Sequence, residues 1–280
     1  MRIVRFAPPA GSPLGTDPHF GILEGNVIEG NVLEGNVLEG NGSEAMIRAI
    51  ASDPLYAGIH ALDTQVRLAD VRLLAPVIPR SKVVCVGKNY VDHARETGSE
   101  VPDEPLIFIK PNTSVVGPGE VIHWPLMSSQ VDHEGELAVV ISKICKEVPR
   151  QKAQDVIFGY TIANDVTARD LQKKDGQWTR AKGFDTFCPL GPWIDTDFEV
   201  AEQSITASVN GEIKQSAKLS DMVFKVPEII EFVTSVMTLL PGDVILTGTP
   251  AGIGPMKSGG TVTVAISGLG ELTNRVGERV

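Results

Sequence analysis

Cysteine is scarce in this chain of 280 residues, and the three present, Cys85, Cys145 and Cys188, are odd in number and far apart. That pattern excludes a disulfide framework. Each thiol lies beside apolar residues, which reads as reduced, packed cysteine in a cytoplasmic protein, with a catalytic thiol as the lesser alternative. Clusters of positive charge are missing too. With 35 acidic against 25 basic residues the net charge is −10, so nucleic acid is not an expected partner. No apolar segment follows a charged start, and no run approaches the ~20 apolar residues that cross a bilayer. Neither secretion nor a membrane partner is therefore expected. The G-x-x-x-x-G-K-[ST] spacing of a phosphate-binding loop is also absent.

What the chain does contain is charge where charge is costly. Glu134 and Glu136 stand one residue apart at the mouth of the apolar run 137–141. In an extended strand, residues two apart share a face, so both carboxylates converge while Gly135 leaves the other face bare. Asp165 closes a second strand-like run, 156–163. Three oxygen ligands without a Cys or His cluster suit a hard cation, Mg²⁺ or Mn²⁺, and suit zinc poorly. The competing reading is a strand edge with two solvated glutamates.

Length allows one large domain, or one with a smaller appendage. From Leu23 a five-residue unit recurs as LEGNV, IEGNV, LEGNV, LEGNG. Gly and Asn favour tight turns, so tiny strands joined by hairpins are expected there, with no chemistry of their own. A short helix is expected over 43–51, with Ser43 as N-cap for Met46, Ile47 and Ile50. The Pro-marked stretch 74–79 is read as a connection, dividing a small N-terminal domain (1–73) from a catalytic domain (74–280). Beyond it strand-like runs outnumber helices: 82–86, 106–109, 136–141, 156–163, 205–209, 243–247 and 261–266. Helices are expected after Asn89, after Thr167 and over 227–238. Irregular gaps between strands predict an α+β, β-rich fold with a mixed sheet and not a doubly wound one.

Three further segments carry chemistry. In GKNYVDHARE (87–96), His93 precedes Glu96 by three residues, which puts both on one helix face. A carboxylate beside an imidazole makes a general base, although such pairs are also common as plain surface contacts. Lys182, near Phe184, Phe187 and Trp193, is either a partly buried amine able to pair with the carboxylates or meet an oxyanion, or a snorkelling surface lysine. TGTPAGIGP (247–255) is a Gly-rich turn whose N–H groups and Thr249 hydroxyl can bind carboxylate or enolate oxygens, or simply make the turn.

Taken together, GKNYVDHARE, EGELAVVI (134–141), YTIANDVTARDLQ (160–172), WTRAKGFDTFCPLGPW (178–193) and PGDVILTGTPAGIGP (241–255) resemble, in that order, the motifs of the fumarylacetoacetate hydrolase family. The resemblance runs from about residue 74 to the end, and the pentapeptide repeats depart from it. It implies a mixed β-roll with flanking helices, assembled as a homodimer. It also implies Glu134, Glu136 and Asp165 as metal ligands and His93 with Glu96 as a water-activating dyad. Lys182, Gln172 and Thr249 match positions that contact substrate or stabilise negative charge, and the segment with His93 and Glu96 often belongs to a lid that orders over ligand, which would explain the polar stretch 97–105.

The implied substrate is a small 2-oxo acid, chelated through carboxylate and keto oxygens. Cleavage of a carbon-carbon bond, by acylpyruvate hydrolysis or oxaloacetate decarboxylation, leaves a pyruvate enolate whose charge the cation meets. Isomerisation and decarboxylation of a hydroxy-dienoate diacid is one alternative. A catalytically idle metal-binding dimer is the other.

Overall fold

GELAVVI forms the strand Gly135–Ile141, buried along its whole length. Alternate side chains leave opposite faces of a strand, and here both faces are covered. Leu137, Val139 and Ile141 enter the larger core with Val84, Ile162 and Ile245, while Ala138 and Val140 enter a second core with Cys85, Ala163, Cys188 and Leu246. A continuous apolar run is what such a doubly covered strand requires.

The computed structural model describes residues 1–25, 32–33, 36–37 and 45–279. Gly135–Ile141 lies inside a twelve-stranded mixed sheet. Its path runs Ala61–Arg67, Met46–Ile50, His19–Glu24, Arg2–Ala7, Cys188–Asp195, Ile157–Asn164, Gly135–Ile141, Val244–Leu246, Val83–Gly87 and Leu106–Lys110. Most neighbours are antiparallel, but Val244–Leu246 and Val83–Gly87 run parallel. The N-terminal strands extend the same sheet through Ile3 opposite Ile194.

A five-stranded sheet, which includes Ser204–Val209, Thr261–Ile266 and Gly270–Arg279, contributes Ile205, Ala207, Val264, Ile266 and Leu272 to the larger core. The helix Val226–Val236 adds Ile229, Ile230 and Val233, with Pro227 in its first turn, where a missing N–H costs nothing. Gly135 lies where the two sheets meet: a Cβ on it would come 2.9 Å from Val264 Cγ1. A third, small sheet joins Thr167–Ala168, Val131–His133 and Gly254–Pro255. It gathers three distant motifs at one end of the main sheet. The fold is α+β and strand-rich, with mixed sheets, as expected, and helices form after Asn89 (Val91–Glu96) and after Thr167 (Arg169–Asp175).

One expectation is corrected. Residues 46–50 are not helical: Met46–Ile50 is a strand paired on both sides, with His19–Glu24 and Ala61–Arg67. A strand on each side offers backbone partners to this segment, which a short isolated helix would not gain from its neighbours. Ile47 and Ala49 turn inward, and Arg48 turns out to Glu24 (Nε to Oε1, 2.7 Å). Ser43 lies outside the described residues, as does most of the pentapeptide array, of which Val32–Leu33 and Asn36–Val37 pair antiparallel. The cysteines are buried and free, and burial pushes the Cys188 thiol up to about 12. A thiol so desolvated is inert. Among the described residues no helix is long and apolar enough to cross a membrane.

The close approach at Gly135 gives a first test. Gly135→Val should destabilise the protein by about 1–3 kcal/mol through overpacking, read as a lower urea midpoint. Adding Val264→Ala should recover part of the loss. No recovery would mean that the two sheets are not the source of the strain.

Candidate metal centre

Two hydrogen bonds donated by main-chain N–H groups bring the acidic residues together. The Asp165 N–H donates to the Glu134 carbonyl (2.8 Å), and the Glu134 N–H donates to Asn164 Oδ1 (2.9 Å). The ends of two antiparallel strands are thereby clamped. Carboxylate oxygens of Glu134, Glu136 and Asp165 all lie within 4.8 Å of one another. Their residues are 4%, 1% and 1% exposed, which rules out a solvated strand edge.

Three buried cations surround this cluster. Lys182 Nζ bridges Glu134 Oε2 (2.8 Å) and Asp165 Oδ2 (2.6 Å). Lys110 Nζ donates to Asp165 Oδ1 (2.6 Å) and to the Val166 carbonyl (3.1 Å). Arg169 donates to Asp132 Oδ2 (2.8 Å), Glu134 Oε1 and Gln172 Oε1. Lys182 is no snorkelling side chain. Burial lowers its pKa, but the Asp165 and Glu134 charges outweigh that and hold it up at about 12. Burial likewise raises Glu134, yet Lys182 and Arg169 keep it well below the usual carboxylate range.

Glu136 is the exception. Burial first, and then the Asp165 and Glu134 charges, push its carboxyl well above the usual range, and the Gly248 N–H (2.6 Å) compensates only in part. Gly248 can aim that N–H because its φ is +99°, a conformation glycine adopts freely. The donor set, three hard carboxylate oxygens from three residues, fits a hard dication. The trio can hold such an ion.

The cluster forms one wall of a cavity of about 70 Å³, also lined by Lys88, His93, Phe108, Gln172, Trp178 and Thr249. Lys88, Thr97, Arg169, Gln172 and Trp178 border both this cavity and an outer cleft of about 480 Å³. His93 is buried on the helix Val91–Glu96, and its Nδ1 lies 3.5 Å from Glu96 Oε2 with no hydrogen bond formed. Glu96 instead accepts from the Gly252 N–H (3.1 and 3.2 Å). Thr249 donates to the Gly135 carbonyl (2.9 Å) and accepts from Gln215 Nε2 (2.7 Å), so its hydroxyl also braces the strand that carries Glu136.

All eight residues singled out in the sequence thus lie in or beside one cavity. Lys110, Arg169, Asp132 and Asn89 were not singled out. Asn89 makes three hydrogen bonds, to Thr247 and Phe224, that anchor the turn before the His93 helix. Lys110 was within reach: a charge ending the apolar run LIFI is the same signal that marked Glu134 and Glu136.

Thermal melts of metal-stripped protein test the ligand set. Mg²⁺ or Mn²⁺ at about 100-fold its Kd should stabilise by about 2.7 kcal/mol, or about 5–10 °C for a chain of this size. Glu136→Gln should lose most of that shift. Its metal-free form should nevertheless melt above wild type, because one of three crowded charges is gone. Full stabilisation of the variant by the ion would remove Glu136 from the set.

Residues 82–277 match the fumarylacetoacetate (FAA) hydrolase C-terminal model, and residues 1–76 match the Rv2993c-like N-terminal model. The chain is 40% identical to human mitochondrial oxaloacetate tautomerase FAHD2A over 291 residues, covering 99% of this chain and 91% of that protein. It also resembles the crystal structure of 2-hydroxyhepta-2,4-diene-1,7-dioate isomerase from Mycobacterium marinum (48% identity, TM-score 0.85, 99% and 98% covered). Maleylpyruvate hydrolase from Sphingobium sp. SYK-6, solved with manganese(II) and pyruvate, is 28% identical with a TM-score of 0.74 and full coverage of both chains. Motifs, fold and relatives agree that this chain belongs to the fumarylacetoacetate hydrolase family.

Proposed function

We propose that this protein is an enzyme acting on a small 2-oxo acid by forming and protonating its enolate. The observation that carries this reading is the buried trio of carboxylates, ringed by three cations, beside a cavity sized for a few heavy atoms. Glu134, Glu136 and Asp165 would hold Mg²⁺ or Mn²⁺, which would supply Lewis-acid polarisation of a keto oxygen; the manganese and pyruvate of the Sphingobium relative support both the ion and the ligand class. Lys182 places an ammonium group where negative charge develops, and water is largely excluded, which strengthens that interaction. Gln172 and Thr249 line the walls that orient the substrate. His93 takes a proton from C3 of the keto acid, and protonation of the resulting enolate on its C2 oxygen gives the enol; the reverse transfer to C3 restores the keto form.

With the His93–Glu96 hydrogen bond unformed and Glu96 held by Gly252, proton transfer needs less rearrangement than activation of water. Keto–enol tautomerisation of oxaloacetate, the activity named for the human relative, is therefore the first reading. Carbon-carbon cleavage is the second. It is favoured by the 3.5 Å separation itself, since a small rotation of Glu96 completes the dyad that would direct water at an acylpyruvate. The homodimer belongs to the same proposal: Leu106–Lys110 ends the main sheet with Leu106 and Ile109 exposed, an apolar edge suited to cover by a second copy.

Metal-loaded protein incubated with oxaloacetate and with acetylpyruvate, following enol absorbance and pyruvate release, separates these readings. Loss of enol absorbance without pyruvate indicates tautomerisation; pyruvate release indicates cleavage. His93→Ala should lower the rate by ~10² to 10⁴ in either case. Glu96→Gln should cost less than tenfold for tautomerisation and about as much as His93→Ala for hydrolysis. Inactivity towards both acids and a hydroxy-dienoate diacid would leave an idle metal-binding protein.

A further inference from the structure

The cations around the carboxylates are all engaged: Lys110 with Asp165, Lys182 with Glu134 and Asp165, Arg169 with Asp132 and Glu134. Among the described residues that line the inner cavity, Lys88 is the cation left without a hydrogen bond or ion pair. It is half-buried and borders the inner cavity and the outer cleft together.

Its backbone is also unusual. Lys88 has φ +58°, a left-handed conformation that side chains other than Gly, Asn and Asp seldom adopt. The next residue explains how that conformation is held. Asn89 is fully buried and tied by three hydrogen bonds to Thr247 and Phe224. A Cβ on Gly248 would lie only 2.6 Å from Asn89 Cβ, so this packing leaves the turn little freedom. Strain of this kind persists where the surrounding structure over-determines it, and it aims a side chain. Here it sets an unpaired ammonium group at the junction of cavity and cleft.

We infer that Lys88 recognises the second carboxylate of the substrate, so that the enzyme prefers dianionic 2-oxo diacids to monoanionic 2-oxo acids. The inference rests on the 2-oxo acid reading above and deepens it. With the keto and first carboxylate groups at the acidic cluster, the far end of a four-carbon diacid points towards the cavity mouth. There an ammonium group with no competing anion makes a charge-assisted hydrogen bond.

Oxaloacetate and acetylpyruvate form a suitable probe pair, since they differ in carrying a carboxylate or an acetyl group at the same end. Kd by calorimetry and kcat/KM would be measured for both acids on metal-loaded wild type, Lys88→Asn and Lys88→Arg. Asn tolerates the left-handed backbone, so Lys88→Asn removes charge without adding strain; Lys88→Gln serves as a second neutral variant should it fold poorly. The neutral variants should lose oxaloacetate affinity about 10- to 100-fold more than acetylpyruvate affinity, and Lys88→Arg should keep the preference. Equal losses for the two acids, or none for oxaloacetate, would overturn the role of Lys88 while leaving the 2-oxo acid reading intact. Wild type that neither binds nor converts either acid would overturn both.

Discussion

Three carboxylates within 4.8 Å of one another, inside a protein, are the constraint around which the rest of this structure is arranged. Each loses its hydration on burial, and each repels the other two. Lys110, Lys182 and Arg169 supply the compensation, and each is itself buried and satisfied by carboxylate or carbonyl oxygens. Buried ion networks of this kind add little net stability, because desolvation offsets the attraction. They do make the arrangement specific: removing Lys110, Lys182 or Arg169 strands carboxylate charge in a low-dielectric site. Glu136 takes its hydrogen bond from the Gly248 N–H and not from a cation, so its carboxylate is the least compensated of the three.

The architecture serves that cluster from behind and from the side. The doubly covered strand Gly135–Ile141 excludes water and fixes the position of Glu136, and the second sheet presses close at Gly135 because that residue has no side chain. The small third sheet sets Val131–His133, Thr167–Ala168 and Gly254–Pro255 next to one another. The Gly-rich loop caps carboxylates with main-chain N–H groups, Gly248 to Glu136 and Gly252 to Glu96. Through Glu96 that loop also holds the end of the His93 helix. The helix and the loop are therefore joined through the Glu96 carboxylate, which lies between Gly252 and His93.

Much of the site was legible in the sequence because strand geometry is strictly periodic. Glu134 and Glu136 could be assigned to one point because side chains two apart share a face, and the apolar run after them implied burial. His93 and Glu96 followed from helical spacing in the same way. Lys182 was ambiguous for a physical reason: a lone lysine among aromatics is compatible with either solvent or an ion pair, and its carboxylate partners stand 17 and 48 positions away. Lys110 and Asp165 are 55 positions apart, and no local pattern records that pairing. Residues 46–50 were misjudged because spacing in a short segment fits a helix as well as a strand, and their conformation is settled by the two strands beside them.

By itself, then, the sequence determined many of the strands that carry the site, which segments carry acid, and that the chain carries the motifs of its family, since these depend on local periodicity and residue type. Only the tertiary structure decided which cation meets which carboxylate, that Glu96 is bound to Gly252 and not to His93, and that Lys88 is left without a partner. Electrostatic pairing acts through space across a few ångströms, whereas sequence distance between the partners is set by the connections of the fold. Which charges neutralise one another, and which remain for a ligand, is therefore a property of the folded chain.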